Sequence, residues 1–253
     1  MCWQGRLRFL ARGYDRALVV CRPGHEALYQ DFATVLSYPH SLPLETNMHT
    51  CGGDFVYRES VEPLLGYHDG RIPPCSRIAK FLWGRPLARQ PASFRQQLFL
   101  PLGSPRRDFP LLLHARQAYH VNTARRNWPL AEWERLLERL PSLPRASIGQ
   151  PAQALHLPGT IDLRGLPLSE LCDYLAGARC LVSPSSGPVP LAALCRCPHV
   201  TWFGLGKKAS DAVRYRETWN PFATPCEVLY DRHWRPPLEW VVEQTLHFLR
   251  KGA

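Results

Sequence analysis

Short blocks of consecutive apolar residues alternate along this chain with longer stretches whose apolar positions recur at helical spacing. The blocks suit strands buried on both faces of a parallel sheet, and the spaced stretches suit the helices that cover them. Residues 3–12 carry helical spacing and stop at Gly13. The run Ala17-Leu18-Val19-Val20-Cys21 predicts a strand, Arg22-Pro23-Gly24 a turn, and residues 25–34 a helix. Residues 84–110 hold Pro86, Pro91, Pro101, Pro105 and Pro110 among several arginines. That composition marks a connection between domains, with residues 94–100 as a short helix inside it.

A second series follows. Residues 111–115 predict a buried strand, 130–140 a helix, and 145–149 a strand ending at Gly149. Residues 168–178 form an amphipathic helix, with Pro167 before it and Ser169 as its cap. Cys180-Leu181-Val182 predicts a strand that runs into Ser183-Pro184-Ser185-Ser186-Gly187-Pro188, and a helix follows. The strand His199–Phe203 then ends at Gly204, and residues 236–249 close the chain as a helix. Such alternation predicts an α/β fold of doubly wound parallel sheets, in two domains at 1–110 and 111–253.

Charge changes the picture only a little. The 253 residues include 31 basic and 21 acidic side chains, a formal +10. Residues 1–110 hold 14 basic and 9 acidic groups and the remainder 17 and 12, so each part is +5. Lys80, Lys207, Lys208 and Lys251 are the only lysines; the other basic residues are arginines. An even surplus fits sugar phosphates or nucleotides as well as a polymer, and nucleic acid is not expected as a partner. No apolar run approaches the roughly 18–20 residues that span a bilayer. Met1-Cys2-Trp3-Gln4-Gly5-Arg6 lacks the apolar core of a signal peptide, and nine cysteines are an odd, unpaired set. Reduced thiols in the cytoplasm are the expectation. Cys195 and Cys197, followed by His199, form the only tight cluster, and no second ligand pair accompanies it. A metal is therefore not expected.

Two segments carry candidate chemistry. At Ser183 to Leu191 a buried strand delivers small residues to a helix start, at the edge where open α/β sheets bind ligands. Backbone amides of Ser186, Gly187 and Val189 and hydroxyls of Ser185 and Ser186 would suit a diphosphate. Pro188 fits the first helical position, whereas Pro190 removes a further amide. The other reading is a strand-to-helix turn with no ligand. The second segment runs from His114-Ala115-Arg116 to Arg125-Arg126-Asn127-Trp128-Pro129. Arginines at such a point clamp phosphate, or else are solvated surface charge. Trp128 reads as packing.

One ordered set carries a resemblance: His114-Ala115-Arg116, Arg126-Asn127-Trp128-Pro129, Ile148-Gly149, Asp162-Leu163-Arg164-Gly165, Ser183 to Pro188 with Leu191-Ala192, and Phe203-Gly204. Over residues 111–225 it resembles the nucleotide-binding half of the heptosyltransferase-like (family nine) glycosyltransferases. Those are two-domain enzymes of the GT-B fold that take sugar from a nucleotide-sugar donor. Arg214-Tyr215 and Thr218-Trp219-Asn220-Pro221 extend the likeness.

The resemblance implies two Rossmann-like domains, the N-terminal one incomplete. It implies that Ser185, Ser186 and Gly187 hold the donor diphosphate, with Arg126 and more weakly Arg116 facing the phosphates. Gly149, Thr201, Trp202 and Gly204 would line the nucleoside pocket, largely through backbone. The family usually carries histidine where this chain has Pro190. It also places a strand and an acidic loop before a segment like Met1-Cys2-Trp3-Gln4, and that loop supplies the general base. Within the chain, His25, Glu26 and Asp54 are candidates to replace the base, although a pair such as His25-Glu26 more often caps a helix.

The expected activity is metal-independent, inverting transfer of sugar from a nucleotide-diphosphate sugar to a saccharide or lipid-linked acceptor, with no cofactor. A peripheral contact with a membrane surface would accompany a glycolipid acceptor. The alternative is a catalytically weak or inactive nucleotide-sugar-binding remnant.

Overall fold

Leu18, Val19 and Val20 have the branched, apolar character that favours extended backbone, and they form the centre of a small sheet. A computed structural model describes residues 18–21, 24–37, 55–57, 101–117, 124–204, 212, 215–216, 220 and 222–251. Backbone packing divides the chain into two units. The first is Met1–Leu100 with Glu217–Pro221, and the second is Pro101–Arg216 with Phe222–Ala253.

In the first unit, β1 (Leu18–Cys21) pairs in parallel with β2 (Thr34–Ser37) and antiparallel with β3 (Phe55–Tyr57). The described sheet here is therefore mixed, where an all-parallel one was expected. The helix expected over residues 25–34 is replaced by a 3₁₀ turn at Glu26–Leu28 and further turns. The physical reason lies in Thr34 and Val35. Both are β-branched and pair with Leu18 and Val19, so the chain must return quickly to the start of β1. Leu28 and Tyr29 are buried next to each other, which is not a helical period, and Tyr29 meets Phe32 edge to face at 6.2 Å. The helices expected at residues 3–12 and 94–100 lie outside the described residues.

The second unit is built on six described parallel strands. They are β4 (Leu111–Leu113), β6 (Arg145–Ser147), β8 (Ile161–Asp162), β9 (Cys180–Pro184), β10 (His199–Phe203) and β11 (Cys226–Tyr230). Their spatial order is β11-β10-β9-β4-β6-β8. A two-stranded ribbon joins β5 (Ala115–Arg116) to β7 (Ala154–Leu155). Strands β4, β9 and β10 are buried at every residue, as suits the centre of a parallel sheet covered on both faces, with Ser183, His199 and Thr201 the polar residues among them. Starting from β4, the chain winds outward through β6 and β8, then returns to β9 and winds the other way. The reversal falls between β4 and β9. This is the doubly wound order, and it opens a crevice at the carboxyl ends of those two strands.

Four described helices cover the sheet: α1 (Leu130–Arg139), α2 (Leu168–Gly177), α3 (Pro188–Leu194) and α4 (Leu238–Lys251). Trp133, Leu136 and Leu137 of α1 are buried, one face at helical spacing. Ser169 does not cap α2. Pro167 holds that position and offers no side-chain bond. Trp128, Trp133 and Trp202 gather into one cluster, with centroid separations of 5.0, 5.3 and 6.0 Å. Trp128 is thus a packing residue.

Residues 101–110 correct the expected connection. They pack on the second unit instead of spanning a gap. The Leu102 amide donates to the Leu194 carbonyl, and the Arg106 amide to that of Asp173. The Arg106 guanidinium sits 4.2 Å from the Tyr174 ring centroid, and Phe109 meets the same ring at 5.7 Å. Proline and arginine here serve a docked extended segment. Residues 84–100 are outside the described set.

Candidate functional site

The crevice between β4 and β9 is closed at its floor by a histidine. His114 follows β4, and its amide donates to the Val182 carbonyl, so the backbone is fixed against β9. Its Nδ1 lies 3.0 Å from the Ser183 hydroxyl and 3.1 Å from that of Ser186. Both serine hydroxyls donate to the Pro184 carbonyl, at 2.8 and 2.9 Å. That network assigns the proton of the imidazole to Nδ1, donating to the serine oxygens. Burial and the neighbouring Arg116 charge push the His114 pKa down to about 4. The ring is neutral at physiological pH. Gly149, at φ +120°, gives the ring its space, because a Cβ there would lie 2.6 Å from the imidazole Cδ2.

Above this floor, the turn from β9 to α3 is held from two sides. The Ser185 amide donates to the Trp202 carbonyl of β10 at 2.8 Å, while Ser186 is tied to His114. The Val189 amide is spent on the Ser186 carbonyl. Among the described residues, the amides of Ser186 and Gly187 make no hydrogen bond. Gly187 is exposed, and a Cβ there would meet nothing within 4 Å. The turn therefore carries two adjacent amides without a hydrogen bond among the described residues, one of them on an exposed glycine. Donation by Val189 and the Ser186 hydroxyl, expected from sequence, is instead committed to the fold. Prolines occupy positions 188 and 190 of a seven-residue helix, so the amides, more than a helix field, supply the positive potential.

Two arginines stand at the same edge. Arg116 ends β5 and donates to the Asn127 side chain at 3.3 Å. Burial and the charge of Arg126 lower its pKa, which shows the two guanidinium groups within electrostatic range of each other. Arg126 stacks 4.8 Å from the centroid of the Trp234 ring, and its buried Nε has no hydrogen-bond partner among the described residues. Two like charges held together at a sheet edge favour a bound anion.

Trp234 itself was not legible as a site residue. It is 1% exposed, has φ +62°, and lies in the turn after β11. Asp231 builds that turn: one carboxylate oxygen accepts the amides of His233 and Arg235, at 2.9 and 2.8 Å. Gly204 lets this turn close on β10, since a Cβ there would collide with the Asp231 carbonyl and the Trp234 ring.

The remaining candidates divide. Thr201 and Trp202 are fully buried within β10; the Thr201 hydroxyl has no partner among the described residues. Trp202 gives its side chain to the tryptophan cluster and its carbonyl to Ser185. His25 and Glu26 belong to the first unit, at the start of the 3₁₀ turn, and His25 makes no side-chain cap. Asp54 lies outside the described residues. His199 has both nitrogens engaged: Nδ1 donates to the Cys197 carbonyl, and Nε2 accepts the Tyr215 hydroxyl proton, each at 2.9 Å. The Cys172 side chain, with burial behind it, raises the Cys195 thiol pKa, and burial raises that of Cys197, which leaves both protonated. Among the described residues, no group of three or more His, Cys, Asp or Glu is arranged to hold a metal, and no helix is long and apolar enough to cross a membrane.

No family model and no curated protein sequence matches the chain. Solved structures do resemble it. A glycosyl transferase of family 9 from Veillonella parvula DSM 2008 aligns at TM-score 0.43 and 14% identity, over 56% of this chain and 47% of that one. The chain thus spans about half the length of that relative. Escherichia coli ADP-heptose LPS heptosyltransferase II aligns at TM-score 0.45 and 16% identity, over 98% and 80% of the two chains. E. coli heptosyltransferase WaaC, solved with ADP, gives 0.41 and 16%, over 99% and 77%. At TM-scores below 0.5, likenesses of this degree leave function to be decided at the site.

Proposed function

We propose that this chain binds a nucleoside-diphosphate sugar at the β4–β9 crevice and transfers the sugar to a saccharide or lipid-linked acceptor. The observation that carries this reading is the convergence at one sheet edge: two unspent adjacent amides at Ser186 and Gly187, with Arg116 and Arg126 beside a neutral His114. The ordered motifs shared with family nine glycosyltransferases support the sugar-transfer step. The role of each group follows from its position. The amides and arginines hold the diphosphate and stabilise the charge that develops on it as the glycosidic bond breaks, which does the work a metal would otherwise do. Inversion at the anomeric carbon needs an acceptor hydroxyl deprotonated on the opposite face, and His25, Glu26 and Asp54 remain the candidates for that base.

A second reading is favoured by one specific observation. Pro188 and Pro190 leave the first turn of α3 poor in amides, and Val189 is already engaged. A weakened grip of this kind suits a nucleotide-sugar-binding domain that turns over slowly or not at all. Thermal shift against ADP, GDP, UDP and CDP tests the site, because a ligand at 100 times its Kd stabilises by about 2.7 kcal/mol. Stabilisation by none of the four would remove the nucleotide reading. Release of nucleoside diphosphate from a stabilising donor sugar then separates transferase from binding domain.

A further inference from the structure

We propose that His114 is a positioning residue for the anion turn, holding Ser186 across the strand reversal so that the Ser186 and Gly187 amides keep the geometry that grips a diphosphate. This rests on the nucleotide reading above.

The turn after β9 is anchored to three strands. It continues β9 itself, it hangs from β10 through the Ser185 amide and Trp202 carbonyl, and among the described residues its hydrogen bond toward the β4 side is the one to His114. Ser186 is the residue whose amide is unspent and whose side chain is fastened to the Pro184 carbonyl, to the imidazole and, at 3.2 Å, to the Ser183 hydroxyl. These tethers hold the Cα of Ser186, so loss of one frees the backbone of the turn to shift and the amide with it. His114 also bridges to Ser183, one layer deeper, so a single ring fixes both the strand end and the turn. The ring sits 5% exposed, and Gly149 leaves it space on the far side. An apolar residue could fill the volume, but it could not make the link.

The link runs through Nδ1, so the test separates that atom from the rest of the ring. Asparagine places an amide nitrogen near the Nδ1 position and lacks the Nε2 side. The full chain carrying His114→Asn, His114→Leu or Ser186→Ala is titrated calorimetrically with whichever of ADP, GDP, UDP or CDP binds the wild type, and with its nucleoside. His114→Leu and Ser186→Ala are expected to lose on the order of tenfold in diphosphate affinity with nucleoside affinity unchanged, and His114→Asn to stay within about threefold of wild type. A purely structural role would weaken both ligands together. Equal losses for both ligands, no loss at all, or failure of His114→Asn to rescue would each overturn the proposal. If His114→Leu does not fold, Ser186→Ala and His114→Asn still decide the question. Wild-type protein that binds none of the diphosphates removes the nucleotide reading itself. A wild type that binds, with variants that bind equally, removes only the role of His114.

Discussion

The Arg126 guanidinium stacks on the Trp234 ring at 4.8 Å, joining the loop before α1 to the turn after β11. The ring gives the cation a π-face to rest on, and the charge is the group that would meet an anion. Removing Arg126 as alanine is expected to cost about 1.5–3 kcal/mol in diphosphate binding, roughly 10- to 150-fold in Kd. Trp234→Leu keeps the charge and loses the platform, so a smaller loss follows, about 0.5–2 kcal/mol. Calorimetric titration of both variants checks the ranking. A larger effect from Trp234→Leu than from Arg126→Ala would mean that the ring, not the cation, meets the ligand.

Gly187 separates stability from binding. Its φ of −49° suits any L-residue, and no atom lies within 4 Å of the position a Cβ would take. Gly187→Ala should leave the fold intact or stabilise it by about 0.4–1 kcal/mol through the unfolded chain. The methyl group would nevertheless enter the open space beside the two amides. Diphosphate affinity should fall while the melting temperature holds or rises. Unchanged affinity would place the anion elsewhere.

Much of the second unit was legible in the sequence, because fully buried parallel strands read as apolar blocks. β10 appears where His199–Phe203 predicted it, and α1 and α2 differ from expectation by one residue at the C-terminal end. β11 was missed: Glu227 interrupts it, and at the sheet edge only Val228 is buried. The helix expected at residues 25–34 failed because pairing of Thr34 and Val35 with β1 overrode local spacing. Ser186, Gly187, Arg116 and Arg126 could be named from strand-to-loop pattern alone. The role of His114 could not, since it reaches Ser183 and Ser186 from 69 and 72 residues away. Trp234 was hidden for the same reason; no local pattern ties it to Arg126.

Two buried histidines set an acid limit on stability. His114 and His199 both have pKa values lowered by burial from 6.5 to about 4. Above pH 6.5 each is neutral folded and unfolded, and neither contributes. As pH falls from 6.5 toward 4 the unfolded chain takes up protons that the folded chain refuses, so stability drops; below 4 the loss levels off. Each accounts for roughly 3 kcal/mol over that window. Urea melts at pH 7.5 and 4.5 should show the fall, and His199→Gln should reduce it, since glutamine does not titrate. A variant with the full wild-type pH dependence would assign the acid sensitivity to carboxylates instead.

Pro190 offers a gain-of-function test. It is half-buried in the first turn of α3, where the resemblance to family nine glycosyltransferases implies histidine. Proline there removes one amide and supplies no side-chain donor, which leaves the Ser186 and Gly187 amides as the donors the turn itself can offer. Pro190→His restores both donors. One additional hydrogen bond is worth about 0.5–1.5 kcal/mol, so the Kd for a nucleoside diphosphate should tighten by roughly 2- to 10-fold. The nucleoside, lacking phosphates, should show no gain. Tighter diphosphate binding without donor turnover would favour the binding-domain reading, because the grip would then be repaired and chemistry still absent. Equal gains for nucleoside and diphosphate would place position 190 against the base or sugar and move the phosphates away from this turn.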